Sequence, residues 1–314
     1  ELAEIWFDSY KSWVSSDNTR NKVRSYLDTY IIPRFGNYKI DAIESAEVQQ
    51  WADQLAEQAR FEVNNGKRKA EKGKASDYGA VIHKLIDILD FGMVHFDLKQ
   101  NVAKHVRIPP KPKPKQRRVQ VLHEKELATW LHYLDTLPNT RANRRFKIIC
   151  DTLLASALRI NELLALEITD LNFDCSEIEV NKTLMWKRAD KKLGTKGKVI
   201  CKNSPKTDSG NRRVTVPLSI LKDLKNFHDE MNDYFEKNGL PQTKLIFPTI
   251  YGNYMSDRNE RTTLIKPLKA LWLPDKEYHL LRHTQASLMI NTNANWKEIQ
   301  EQIKKLFGKI IEPD

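Results

Sequence analysis

The sequence predicts a mainly α fold with a small antiparallel sheet, an α+β chain divided into two domains. Three observations carry this. The chain has 314 residues, 40% of them hydrophobic and seven of them Trp, which is enough to fill roughly two cores of ordinary domain size. Apolar residues recur at helical spacing along most of it. Short β-rich runs bounded by polar turns occur only in the second half.

From Leu2 to Gln58, Ile5, Trp6, Tyr10 and Trp13, then Val23, Tyr26, Leu27 and Tyr30, then Val48, Trp51 and Leu55 mark a small helical bundle. Breaks are expected at Ser15-Ser16-Asp17 and from Pro33 to Gly36. Phe61 to Ala75 sets Lys67, Arg68, Lys69, Lys72 and Lys74 among Asn and Gly, the texture of an exposed basic loop. Ser76 is then expected to cap a helix through Val81, Leu85, Ile88, Leu89 and Val94. The first domain spans 1–103.

Residues 104–118 carry seven Lys or Arg, no acid, and prolines at 109, 110, 112 and 114. Proline removes backbone donors and favours extended chain, so the segment reads as a semi-rigid linker. Its cations Lys111, Lys113, Lys115, Arg117 and Arg118 suit either a solvated spacer or a strap along a phosphate backbone. The second domain spans 119–302. It opens with a helix capped near His123 and running past Trp130 and Leu134, then a helix from Phe146 to Ala157. Strands are expected at Glu177–Val180, Val199–Lys202 and Arg213–Val216, and helices return at Leu218–Phe235 and from Thr262 onward. A tail helix covers 303–314, with Ile303, Leu306, Phe307 and Ile310 on one stripe.

The 52 Lys and Arg against 41 Asp and Glu leave a net charge of +11, which favours a polyanionic partner, most often nucleic acid. No apolar run reaches the ~18 residues of a membrane span, and the start, with Glu1, Glu4 and Asp8, has none of the features of a secretory signal. The expectation is a cytoplasmic protein with no membrane partner. Cys150, Cys175 and Cys201 are odd in number and unpaired in spacing, as reduced thiols would be.

His279 and Arg282 stand three apart, so on a helix an imidazole and a guanidinium share one face and can grip one phosphate. Arg159 interrupts an apolar helix, and Glu162 follows three residues on, placed to orient it; a structural ion pair is the alternative. Lys206 stands on the rim of an expected hairpin in Ser204–Pro217, where an ammonium can reach into a groove. Together these four offer what phosphoryl transfer without a metal requires. Two guanidiniums hold the non-bridging oxygens as charge builds. A histidine assists proton transfer from the nucleophile and a lysine protonates the leaving oxygen, each step worth about 10²–10⁴-fold. The carboxylates are scattered, which disfavours a two-metal nuclease.

The ordered set Arg159-Ile-Asn-Glu-Leu-Leu-Ala-Leu166, Pro205-Lys-Thr207 and His279-Leu-Leu-Arg-His-Thr284 resembles the tyrosine recombinases of the phage and mobile-element integrase family. Ile32-Pro-Arg-Phe-Gly36 and Gln50-Trp51 extend the likeness into the family's helical core-binding domain. The resemblance implies a helical core-binding domain joined to a recombinase catalytic domain, with double-stranded DNA as partner. It also implies attack by a tyrosine to leave a 3′-phosphotyrosyl link and a free 5′-hydroxyl, and strand exchange in a homotetramer, with no cofactor. In such proteins a C-terminal tail packs on a neighbouring protomer, a role the 303–314 helix would fill.

Two side chains depart mildly from the family: Ala157 stands where it has Gly, and Leu280 where Asp is common. The larger departure follows Gln302, where Ile303-Lys-Lys-Leu-Phe-Gly308 replaces the nucleophile-bearing segment. No tyrosine occurs after Tyr278, whose neighbours suit a packing residue. The expectation is a site-specific recombinase whose nucleophile segment belongs before Ile303. The alternatives are a DNA-binding protein that keeps the clamp without cleavage and, less favoured by the motifs, a type IB topoisomerase.

Overall fold

The structure is a computed structural model that describes residues 1–64, 77–110, 120–187, 194, 196–202, 211–274 and 278–292, the side chains of 60–64 and 289–292 excepted. The chain divides into two compact units, Glu1–Arg117 and Arg118–Asp314. Among the described residues no helix is long and apolar enough to cross a membrane.

Among its described residues the first unit has helices and no strands: α1 (Leu2–Trp13), α2 (Asp17–Tyr26), α3 (Ile32–Phe35), α4 (Ser45–Asn64) and α5 (Tyr78–His95). Ser16 opens α2 by accepting a hydrogen bond from the Thr19 amide, which satisfies one of the free donors of the first turn. Of the break expected from Pro33 to Gly36, the Gly36 end is found, while the chain stays helical through Pro33. A π turn over Leu27–Ile31 joins α2 to α3, with the Ile32 amide reaching the Leu27 carbonyl, and Pro33 sits in the first turn of α3, where its missing N–H costs least. The helix stops only at Gly36. Asp77, one residue beyond the expected cap, precedes α5 and holds Lys22 and the Tyr26 hydroxyl without capping the helix.

Trp6, Val23, Leu27, Ile31, Phe35, Val48, Trp51, Leu55, Val81, Leu85 and Leu89 are buried together, with Phe35 edge-on to Trp51 at 5.1 Å. Trp13 does not join them. It is the last residue of α1 and 84% exposed, and Val94 in the last turn of α5 is exposed as well. Buried Asn101 closes the unit, donating to the Ile86 carbonyl and Asp90 and accepting from the Ala103 amide. Residues 104–110 then lie on this unit. Val106 and Ile108 pack on its core, Gln49 exchanges two hydrogen bonds with the Arg107 backbone, and the Tyr78 hydroxyl donates to the Pro109 carbonyl.

The second unit begins with α6 (Glu124–Thr136), where Glu126 accepts the His123 amide, and α7 (Arg141–Ser156), capped by Thr140. The basic turn Arg141–Arg145 belongs to α7, so the helix starts five residues before Phe146. After α8 (Ile160–Leu163) come β1 (Leu171–Asn172), β2 (Glu177–Val180), β3 (Thr183–Lys187), β4 (Lys198–Lys202) and β5 (Arg212–Thr215). They form two antiparallel sheets where one was expected: β1-β2-β5, and the hairpin β3-β4. In β2, Ile178 and Val180 point into the core and Glu179 outward, the period-two alternation of a half-buried strand. Among the described residues three helices follow: α9 (Leu218–Lys237), α10 (Asp257–Ala270), which starts five residues before Thr262, and α11 (His279–Thr292). Trp130, Ile149, Leu153, Leu163, Leu221, Phe227, Phe247, Leu264 and Leu281 share one core.

Candidate active site

The site is built where α7 ends. Ala157 takes a left-handed conformation, φ 51° and ψ 27°, which reverses the chain and leaves Arg159 extended. Arg159 is therefore not inside a helix, as its apolar surroundings suggested, but in the gap between α7 and α8. The apolar periodicity continues across the gap because Leu158 and Ile160 are buried on either side of it.

Glu162, one turn into α8, reaches back. Its carboxylate accepts the Arg159 amide at 3.0 Å and the Arg159 guanidinium at 2.7 Å. From β5, Arg212 adds a second guanidinium at 2.6 Å. Burial pushes the Glu162 pKa up, but the hydrogen bonds from Arg212 and Arg159 outweigh it and hold the carboxyl below its ordinary value. Glu162 is ionised and nearly buried, while the Arg159 side chain is 57% exposed. One end of Arg159 is thus anchored and its remaining donors face outward.

Arg282 arrives from the first turn of α11 and donates to the Ala157 carbonyl at 2.7 Å, so the left-handed residue that releases Arg159 also holds the second guanidinium. Its pKa is lowered by burial first and then by the charges of Arg159 and Arg212, with Glu162 opposing. Three guanidiniums around one carboxylate leave local positive charge, the condition for binding an anion. Helix α11 is fixed against α7 by Gln285, which donates to the Ala155 carbonyl, and against the start of the unit by Thr284, which accepts the Leu122 amide.

His279 is the first residue of α11 and exposed, one turn before Arg282; His283 is also exposed, its ring centroid 6.2 Å from that of His279. Tyr278 is 2% exposed, its hydroxyl donates to the Glu260 carbonyl, and burial pushes its pKa far up. It is a packing residue.

Of the residues singled out in the sequence, the structure brings together Arg159 and Arg282, with His279 on the helix that carries Arg282. Lys206 lies outside the described residues, as do Lys67, Arg68, Lys69, Lys72, Lys74, Lys111, Lys113, Lys115, Arg117 and Arg118. β4 and β5 belong to different sheets, so they do not pair as the hairpin expected around Lys206 would. Sequence reasoning missed Arg212. The signal was present: Arg212 and Val214 alternate with exposed Arg213 and Thr215, which puts Arg212 on the half-buried face of its strand.

The model of the phage integrase family matches residues 120–304, more than half of the chain, and that of the phage integrase N-terminal SAM-like domain matches residues 1–56. The chain is 22% identical over 272 residues to a tyrosine recombinase XerC-like protein of Caldanaerobacter subterraneus subsp. tengcongensis, a match that covers 84% of this chain and 64% of that relative. Its fold is similar to that of the Tn1549 transposon integrase in complex with transposon right end DNA, with a TM-score of 0.63 and 17% identity over 95% of this chain and 89% of that one. A lambda integrase tetramer bound to a Holliday junction is similar at TM-score 0.57 and 12% identity, covering 95% of this chain and 74% of that one. The chain belongs to the phage integrase family.

Proposed function

We propose that this chain is a site-specific DNA recombinase in which Arg159 and Arg282 hold the non-bridging oxygens of the scissile phosphate. The observation that carries the reading is the pair of guanidiniums with separate anchors, Glu162 for one and the Ala157 carbonyl for the other. Anchoring in advance means little reorganisation when charge builds on the phosphate. His279 assists proton transfer from the nucleophile and Lys206 protonates the 5′ leaving oxygen. The basic residues from Lys67 to Lys74 and from Lys111 to Arg118 contact the backbone of the duplex. Work in the cytoplasm of a bacterial host, as a tetramer on recombining sites with the C-terminal tail joining protomers, completes the proposal; the tetramer formed by lambda integrase supports its oligomeric part.

In this reading the attacking tyrosine belongs to a segment preceding Ile303, as the family's motif order implies. A second reading, DNA binding without cleavage, is favoured by one observation: no tyrosine follows Tyr278, and the Tyr278 phenol is buried. A nicked duplex that traps the covalent intermediate separates the two. The 314-residue chain should retain the duplex without forming a denaturation-resistant adduct. A chain carrying a tyrosine segment before Ile303 should form one, and Arg159→Ala or Arg282→Ala should slow it by about 10²–10³-fold. An extended chain that binds but never forms the adduct would establish the second reading.

A further inference from the structure

Trp186 in β3 is 37% exposed, and Arg258, an exposed residue of the first turn of α10, holds its guanidinium 5.4 Å from the indole centroid. On the facing segment, a Cβ added at Gly197 would come 2.6 Å from Trp186 Cζ2, so a glycine is required for the backbone to lie against the ring. The indole is thereby fixed between a backbone and a cation. Among the described residues Arg258 has no carboxylate partner, and it is exposed where Glu260, Leu264 and Leu268 of the same helix are buried. Asp257, beside it, accepts from the Asn161 side chain of α8 at 3.4 Å, two residues from Arg159.

An exposed arginine is normally mobile, and ordering its side chain opposes any contact it makes. Stacking on a fixed indole removes much of that freedom beforehand and leaves the planar fork of N–H donors pointing edge-on. A flexible lysine would serve as well for a phosphate. A pre-oriented fork is suited to two acceptors in one plane, and in a duplex guanine presents such a pair, O6 and N7, in the major groove. We propose that Arg258, held by Trp186 and Gly197, reads a guanine edge next to the phosphate gripped by Arg159 and Arg282. This rests on the DNA reading above.

Selection of duplexes from a random-sequence library by the full chain tests it, with Arg258→Lys, Arg258→Ala and Trp186→Ala run in parallel. Wild type should enrich a motif with a fixed G·C pair. Both Arg258 variants should lose about tenfold preference at that pair alone, with affinity for other changes intact. Trp186→Ala should weaken the same position, and Trp186→Phe, which keeps an aromatic face and the fold, should retain more of it. An unchanged motif in the Arg258 variants, or an equal loss for all sequences, overturns the inference and leaves the DNA reading standing. A wild-type chain that retains no duplex overturns both.

Discussion

Glu162 decides how the site holds its charge. Its carboxylate touches both Arg159 and Arg212, and its ionised form is favoured by those contacts against the cost of burial. Replacing it with Ala leaves Arg212 without that partner and frees Arg159, which should lower stability by about 1.5–3 kcal/mol, the range for hydrogen bonds to charged groups. Chemical denaturation checks this, and Glu162→Gln should cost less because it keeps an acceptor. The pH dependence has a definite sign. A carboxyl whose folded pKa is depressed contributes stability that is present above its unfolded value and lost as pH falls through the folded one. The gap in denaturation midpoint between wild type and Glu162→Gln should therefore narrow on acidification below the ordinary glutamate range. A gap that is constant with pH would mean the carboxylate's charge is not what matters.

At the scale of elements, the junction of α7 and α8 is where backbone conformation sets the site. Ala157 is left-handed, a conformation that costs a residue with a Cβ roughly 1–2 kcal/mol. Glycine removes that cost but loses about 0.4–1 kcal/mol through the greater entropy of its unfolded chain, so Ala157→Gly should stabilise by about 0.5–1 kcal/mol. Thermal melting should move up by a few degrees; a lower melting temperature would show that the side chain packs more than the strain costs. The segment after Asn101 offers a second check. Gln49 pairs with both the Arg107 amide and its carbonyl, so Gln49→Ala should abolish hydrogen-exchange protection of the Arg107 amide while leaving that of α4 in place.

The same junction shows what the sequence could and could not reveal. The long helices were legible because their apolar residues repeat at helical spacing, as in α5 and α9. Arg159 stood out because a cation is costly beside buried apolar neighbours, and His279 and Arg282 because their spacing puts them on one helix face. The break at Ala157 was not legible, since burial continues through Leu154, Leu158 and Leu163 and no Gly or Pro marks the reversal. The π turn before Pro33 likewise depends on a hydrogen-bond shift that no residue pattern announces. Strand β1 has two residues, too few for any periodicity, and β3 is defined by its partner β4.

For the whole molecule, the proposed DNA partner makes charge the governing quantity: with +11 over 314 residues, duplex binding should depend strongly on salt. The logarithm of affinity should fall by about 0.9 per phosphate contact for each unit of log salt, and a flat dependence would contradict phosphate binding altogether. That slope counts contacts without saying which arginine makes them. The most direct measurement removes one charge at a time from a selected duplex, replacing single phosphates with neutral methylphosphonate, and titrates wild type, Arg159→Ala and Arg282→Ala against each. One phosphate should be special. Neutralising it should weaken wild-type binding by roughly 10–100-fold, the range for charge-assisted hydrogen bonds, and should have much less effect once Arg159 or Arg282 is gone. An equal loss in wild type and both variants at every phosphate would contradict the account, because the two guanidiniums would then not be holding the phosphate they are built to meet.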